Sequence, residues 1–266
     1  MAQDVRLVAL DIDGTLIKPG VPVTELPDAD MTAAVRRVVE AGITVVLATG
    51  RMYPGSAYVG EHLGLDRPLI CQQGASVHER DGFLRHGYSI DETIALELYD
   101  YAMAHGWSLS WFDHERYLVT ERVPAAVFFA EVSQVKMEVN PEPHKSGVRA
   151  TGIDIISDAD TSTSVHRLLE ARYGSRIALL DFNTVTAVHA PGASKGNALR
   201  TLTEELGIGR SEVLAIGDSV NDVSMLSWAG QSAAPAHCDD FARESAKEIL
   251  AGEGVQGVVQ KLLSLV

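Results

Sequence analysis

Residues 7–16 read LVALDIDGTL: four apolar residues that suit a buried strand run into Asp11 and Asp13, one residue apart, and then into Gly14-Thr15. Two carboxylates this close repel one another. At the end of an apolar strand they persist only where a cation or a chemical task holds them, and the rest of the sequence has to supply it.

The chain has 266 residues, 46% of them apolar, enough to build one large globular domain or two smaller ones. It carries 22 Lys and Arg against 36 Asp and Glu, a net charge of −14, with the basic residues scattered. Nucleic acid and anionic membrane surfaces are therefore excluded as expected partners. Asp4, Arg6, Asp11 and Asp13 stand where a signal peptide would need its apolar core, and no apolar run approaches the ~18 residues of a membrane span. The expected compartment is the cytoplasm. Cys71 and Cys238, the only cysteines, follow no metal-site spacing and are expected to be reduced.

Strand and helix alternate through the first third. VRLVAL (5–10) and ITVVLA (43–48) read as strands of a parallel sheet covered on both faces, because their apolar runs are nearly continuous. Between them the spacing predicts a helix over 29–41, with Met31, Ala34, Val35, Val38 and Val39 on one face and Gly42 just past its end. A second helix follows Pro54, and RPLICQQGASVHE reads as a third strand leading to a hairpin turn at RDG. The last third resumes this rhythm: Ser194 caps a helix with Leu199, Leu202 and Leu206 on one face, EVLAIGD is a short buried strand, and helices are predicted over 221–229, 239–247 and 256–264.

From about 84 to 188 the pattern changes to helix (92–105), strands WSLSWF and RYLVT, helix (123–132), a polar stretch NPEPHKSG, strand GIDIIS, helix (162–173), and strands RIALLDF and TVTAVHA. Adjacent strands of this kind imply an antiparallel sheet with helices on one face, an α+β module inserted into an α/β core. Trp107, Trp111 and Phe112 alternate with polar residues as strand residues do, so core packing is the better reading than a substrate platform.

Ligands of doubly wound sheets collect at the carboxyl ends of the strands. Four unusual stretches fall at such ends or at helix starts: DIDGT, ATGR (48–51), GASKGNAL (192–199) and GDSVND (217–222). Asp11, Asp13, Asp218 and Asp222, the last two one helical turn apart, bring together enough carboxylates to call for a hard cation, and Mg²⁺ is the usual choice beside phosphate. The Thr49 hydroxyl, the Gly50 amide and the Lys195 ammonium are the complementary groups for phosphate oxygens. Carboxylates, metal and anion clamp together describe phosphoryl transfer through a carboxylate nucleophile. Singly, each stretch has a plainer reading: DIDGT a turn or calcium loop, TGR a common tripeptide, Ser194-Lys195 a cap and a solvated lysine, GDSVND a loop and cap. Their order and their placement at strand ends argue for chemistry.

LDIDGTL, ATGR, SKGNAL and GDSVNDVSML resemble the four motifs of the haloacid dehalogenase superfamily, and the insertion of about 100 residues between the second and third resembles the C2B cap of its Cof-type phosphatases (subclass IIB). The ending EGVQGVVQKLL is also similar to that group. The resemblance implies a doubly wound, mostly parallel α/β core over 1–83 and 188–266 with an α+β cap over 84–187. It implies Asp11 as nucleophile and Asp13 as general acid/base. Mg²⁺ would be held by Asp11, Asp218 and the main-chain oxygen of Asp13, with Asp222 a ligand or a support. Thr49, Gly50 and Lys195 would bind the transferring phosphoryl group, with Arg51 and Asn221 at the site edge. The family often carries Asn-Gly after the third strand where this chain has Gln73-Gly74, so a contact from that position is not expected. His189 reads as a surface or hinge residue sooner than a substrate contact.

The expected function is a Mg²⁺-dependent phosphomonoester hydrolase acting through an aspartyl-phosphate on a small phosphorylated metabolite, sugar phosphates first. The expected state is a monomer or homodimer. A phosphomutase is the nearest alternative, and a non-catalytic phosphometabolite-binding regulator a more distant one.

Overall fold

Leu7–Leu10 is buried at every residue, which an alternating amphipathic strand could not achieve. Such a strand needs apolar cover on both faces, and the helices supply it. The computed structural model describes residues 5–22 and 24–266, so Asp4 lies outside them. Along the chain the strands are β1 (Leu7–Leu10), β2 (Thr44–Leu47), β3 (Leu69–Cys71), β4 (Ser76–His78), β5 (Leu84–Gly87), β6 (Ser108–Phe112), β7 (Tyr117–Val119), β8 (Met137–Val139), β9 (Gly152–Ile156), β10 (Ala178–Asp181), β11 (Val185–His189), β12 (Val213–Ile216), β13 (Gln231–Pro235) and β14 (Glu248–Leu250). The helices are α1 (Ala29–Glu40), α2 (Tyr53–Leu63), α3 (Glu92–Ala104), α4 (Pro124–Ser133), α5 (Ala159–Tyr173), α6 (Lys195–Glu205), α7 (Val223–Trp228), α8 (Asp240–Ser245) and α9 (Gln256–Leu263). No helix among the described residues is long and apolar enough to cross a membrane. The chain divides into two compact units, one of residues up to Arg85 together with Ser194–Val266, the other His86–Ala193.

In the first unit a parallel sheet runs in the order β14-β13-β12-β1-β2, with Leu7 in register with both Val213 and Thr44. Val8 and Leu10 join Val35 and Val38 of α1, Val59 of α2 and Val258 of α9 in one core. Leu7 and Ala9 face the other way and pack with Leu199 and Leu202 of α6 and Met225 of α7. The chain is thus an α/β fold with a doubly covered parallel sheet. Asp28 caps α1 by accepting from the Met31 N–H, and Gly42 follows the helix with φ +85°. On that helix Thr32 is buried while Val39 is exposed, so the apolar face is shifted from the expected one. β3, β4 and β5 form a separate three-stranded sheet, and the 3-10 turn Gln72–Gly74 interrupts the expected continuous third strand. β13 and β14 are strands that the sequence pattern does not predict. QSAAP has no β-branched residue, and pairing with β12 and β14 makes it a strand. The helix expected over 221–229 begins as a 3-10 turn, Val220–Asp222.

The second unit is α+β, with sheet order β10-β11-β9-β6-β7-β8. Its pairings are antiparallel except β7 with β8, which are parallel and joined through α4, a departure from the wholly antiparallel expectation. Leu109, Trp111, Ile153, Ile155 and Val188 pack with Leu98 of α3 and Leu169 of α5 on one face. α4 departs from the one-sided arrangement, since its Phe129 meets Phe112 and Tyr117, which alternate to the opposite face. Trp111 donates its indole N–H to the Val148 carbonyl at 2.9 Å, and Trp107 stacks on His105, so these aromatics are packing residues. His189 is buried at the end of β11, with Nδ1 3.1 Å from the Thr151 carbonyl oxygen; burial depresses it to about 4. It is not a surface residue.

Asp154 of β9 lies on the Phe112 face, and burial lifts its carboxyl to about 7. Below pH 4 both folded and unfolded chains hold this proton. Between pH 4 and 7 only the folded chain does, so stability falls as pH rises through that window, by up to about 4 kcal/mol. Asp154→Asn removes the dependence. Its melting temperature relative to the unsubstituted protein should climb from pH 5 to pH 8; a constant difference across that range contradicts the assignment.

Candidate active site

The site is built where β1, β2 and β12 end. The Asp11 N–H donates to the Ile216 carbonyl at 3.0 Å, so β1 keeps its partner through Asp11. The chain then turns tightly, with the Leu16 and Ile17 N–H groups both donating to the Ile12 carbonyl. Gly14 is required in this turn: its φ is +88°, and a Cβ there would stand 2.2 Å from Asp218 Oδ2. The turn leaves Asp11 buried and the Asp13 side chain 49% exposed. One residue between them therefore separates two environments.

Lys195, at the start of α6 behind the Ser194 cap, is completely buried. Its ammonium donates to Asp11 Oδ1 at 2.6 Å and to Asp222 Oδ1 at 2.7 Å. Asp222 Oδ2 accepts the backbone N–H groups of Asp218 (2.9 Å) and Ser219 (3.1 Å), so both of its oxygens are engaged within the protein. Asp218 Oδ1 accepts from the Thr15 hydroxyl at 3.1 Å. Asp11, Asp218 and Asp222 each place an oxygen within 4.8 Å of the others. Burial, then the Asp222 carboxylate, push Asp11 well above the ordinary carboxylate range against the pull of Lys195. The same two causes lift Asp218 to about 6. Burial opposes the charge on Lys195, but Asp11 and Asp222 outweigh it and hold the ammonium above its ordinary value. One lysine therefore serves a cluster still short of positive charge, and the cluster's donor set is all oxygen, which fits a small divalent cation.

Thr49 follows β2. Its N–H donates to the Ile70 carbonyl at 2.9 Å, its hydroxyl accepts from the Arg51 N–H at 3.2 Å, and the Gly50 N–H between them donates to no described residue. Arg51, expected at the site edge, is buried. Its Nε and Nη2 grip the two Asp13 oxygens at 2.8 and 2.5 Å. Asn221 donates to Gln73 Oε1 at 3.1 Å. Gln72 and Gln73 both have positive φ, +49° and +58°, and such non-glycine strain concentrates at functional sites.

Sequence reasoning sets Gln73 aside and omits Thr15, His237 and Asp239. His237 Nε2 lies 2.8 Å from the Gly14 carbonyl oxygen, and Asp239 accepts the Val220 N–H at 2.7 Å, bracing the loop that carries Asp218. Thr15 sits inside the DIDGT stretch, a signal from which it could have been found. His237 and Asp239 follow β13, the strand without a sequence signal.

A cluster of carboxylates with one buried lysine thus stands at the strand ends of a doubly covered parallel sheet, the place where ligands of such sheets collect. Residues 8–262 match the family of haloacid dehalogenase-like hydrolases, and the chain belongs to it. It is 27% identical to phosphatase YwpJ of Bacillus subtilis (strain 168), the match covering 92% of each chain. It is also 27% identical to HMP-PP phosphatase of Citrobacter koseri, over 85% of this chain and 82% of that one. Among solved structures it shares the fold of the HAD subclass IIB sugar phosphatase BT4131, with a TM-score of 0.81 at 17% identity, covering 98% of this chain and 100% of that one. The chain is accordingly a haloacid dehalogenase-like hydrolase, and the curated relatives named above are phosphatases.

Proposed function

We propose that the protein is a Mg²⁺-dependent phosphomonoesterase of the cytoplasm that acts on a small phosphorylated metabolite, sugar phosphates before others, through an aspartyl-phosphate on Asp11. The observation that carries this reading is the buried triplet of Lys195 between Asp11 and Asp222, which pins Asp11 Oδ1 and leaves Oδ2 without a hydrogen bond among the described residues. A sugar phosphatase with the same fold and curated relatives that are phosphatases support the substrate class.

Asp11, Asp218 and the main-chain oxygen of Asp13 would hold Mg²⁺. Asp222, both of whose oxygens are engaged, would orient Lys195 and the Asp218 loop. A cation held there would supply neutralisation of the nucleophile and phosphate charges. Asp11 Oδ2 attacks phosphorus and the ester oxygen departs, taking a proton from Asp13; Asp13 must first release one of its contacts with Arg51. In the second half Asp13 removes a proton from water, the water oxygen attacks phosphorus, and inorganic phosphate leaves Asp11 as a free carboxylate. Thr49, the open Gly50 N–H and Lys195 hold the phosphoryl oxygens, with Arg51 and Asn221 beside them. On this reading the unit of residues up to Arg85 with Ser194–Val266 carries the chemistry, and His86–Ala193 selects the substrate.

A screen of phosphorylated metabolites scored for free phosphate tests the proposal. Phosphate release should require Mg²⁺, stop with excess chelator, and fall by roughly 100-fold or more in Asp218→Ala. Mg²⁺ at about 100 times its Kd should also stabilise the fold by about 2.7 kcal/mol, an increment that Asp218→Ala loses. Undiminished phosphate release in excess chelator contradicts the reading.

A further inference from the structure

Gln73 turns its side chain toward the Thr49-Gly50 loop at the end of β2. Its backbone N–H donates to the Thr49 carbonyl at 3.1 Å, which docks the Gln72–Gly74 turn on the end of β2. Gly74 completes the docking, since its φ is +90° and a Cβ there would stand 2.2 Å from the Ser194 carbonyl oxygen. Both glutamines hold left-handed backbone conformations to make this turn. A glycine would adopt either conformation without strain, so a side chain is kept at a cost.

The Gln73 amide stands at the end of a short hydrogen-bond chain. The Ser219 hydroxyl donates to Asn221 Oδ1 at 2.6 Å, and Asn221 Nδ2 donates to Gln73 Oε1 at 3.1 Å. The Gln73 NH₂ group is thereby directed away from Asn221, and it donates to no described residue. It lies across Gly50: a Cβ on that glycine would stand 2.4 Å from Gln73 Nε2. Gln73 is only 9% exposed. A nearly buried amide with two open donors thus sits against the residue whose own N–H is also open, and open donors together take an anionic oxygen.

We infer that Gln73 is a substrate-binding residue, its side-chain N–H donating to an oxygen of the phosphate group held at Gly50. The assignment rests on the phosphatase reading above and adds a ligand contact to it. It also gives the Ser219-Asn221 pair a task, to orient that donor.

Gln73→Glu separates binding from scaffolding. The glutamate still accepts from Asn221, so a purely structural role survives the change, but it has no N–H to give and brings negative charge to the phosphate. With p-nitrophenyl phosphate and Mg²⁺, Gln73→Glu should raise the KM and the inhibition constant of orthovanadate by roughly tenfold or more, the worth of a hydrogen bond to a charged group, and by more than Gln73→Ala does. A variant that binds orthovanadate as the unsubstituted protein does overturns the inference while leaving the phosphatase reading intact. An unsubstituted protein without turnover overturns both. Should neither variant fold, the ¹⁵N-labelled unsubstituted protein decides: the Gln73 side-chain amide signals shift on adding inorganic phosphate with Mg²⁺ if the inference holds, and stay in place if it fails.

Discussion

Asp11→Asn should abolish phosphate release from every monoester, including p-nitrophenyl phosphate, by roughly 10⁴-fold or more, because an amide oxygen does not attack phosphorus. A better leaving group cannot rescue it. The fold should tolerate the change, since the carbonyl oxygen of the new side-chain amide can still accept from Lys195. In chelator the variant should be more stable than the unsubstituted protein near neutral pH. The sign follows from the raised Asp11 carboxyl: the folded chain favours its protonated form, so ionisation costs stability as pH rises above the ordinary carboxylate range, and asparagine removes that cost. Melting curves in chelator and phosphate-release assays check the two halves. Residual turnover within tenfold of the unsubstituted enzyme would remove Asp11 from the nucleophile's role.

Lys195→Met should carry the largest stability cost of any single change in the site. It leaves Asp11 and Asp222 buried without the ammonium that bonds both, and breaking a buried pair in this way costs about 3–5 kcal/mol. The methionine fills the volume, so the loss is electrostatic and not a cavity. Lowering the pH should partly restore the variant. Without the lysine the folded chain holds its carboxyl protons more tightly than the unfolded chain, and its stability rises as pH falls toward the ordinary carboxylate range. Adding Asp222→Asn should recover stability but not turnover. Urea titrations at pH 5 and pH 7.5 read the effect; a loss below about 1 kcal/mol, the scale of an exposed ion pair, would contradict the buried-pair account.

These consequences can be anticipated from the sequence because the residues concerned lie at the ends of strongly patterned elements. Leu7–Leu10 and Thr44–Leu47 are apolar runs long enough to name a two-face-covered strand, and their ends locate Asp11 and Thr49. Ser194 before α6 is a local cap signal, and the cap places Lys195. β13 is different: Ala233 and Ala234 become strand residues only through β12 and β14, so local pattern cannot assign the loop after it, with His237 and Asp239, to the site. β8 is similarly context-made, pairing in parallel with β7. Arg51 and Gln73 depart from expectation for a further reason. Burial of a guanidinium depends on a carboxylate from another strand end, and the reach of a glutamine depends on where a turn docks. Neither is encoded in local spacing.

Trapping a covalent phosphate on Asp11 separates an aspartyl-phosphate route from direct attack by water. Asp13→Asn lacks the group that protonates the leaving oxygen and later activates water, yet a nitrophenolate leaves unaided. Rapid mixing of this variant with p-nitrophenyl phosphate and Mg²⁺ should release a burst of nitrophenol near one equivalent, then stall, with a phosphate-sized mass increase that borohydride reduction maps to position 11. Steady nitrophenol release without a burst, with no adduct on the protein or an adduct at another residue, would contradict the account and point to direct attack by water.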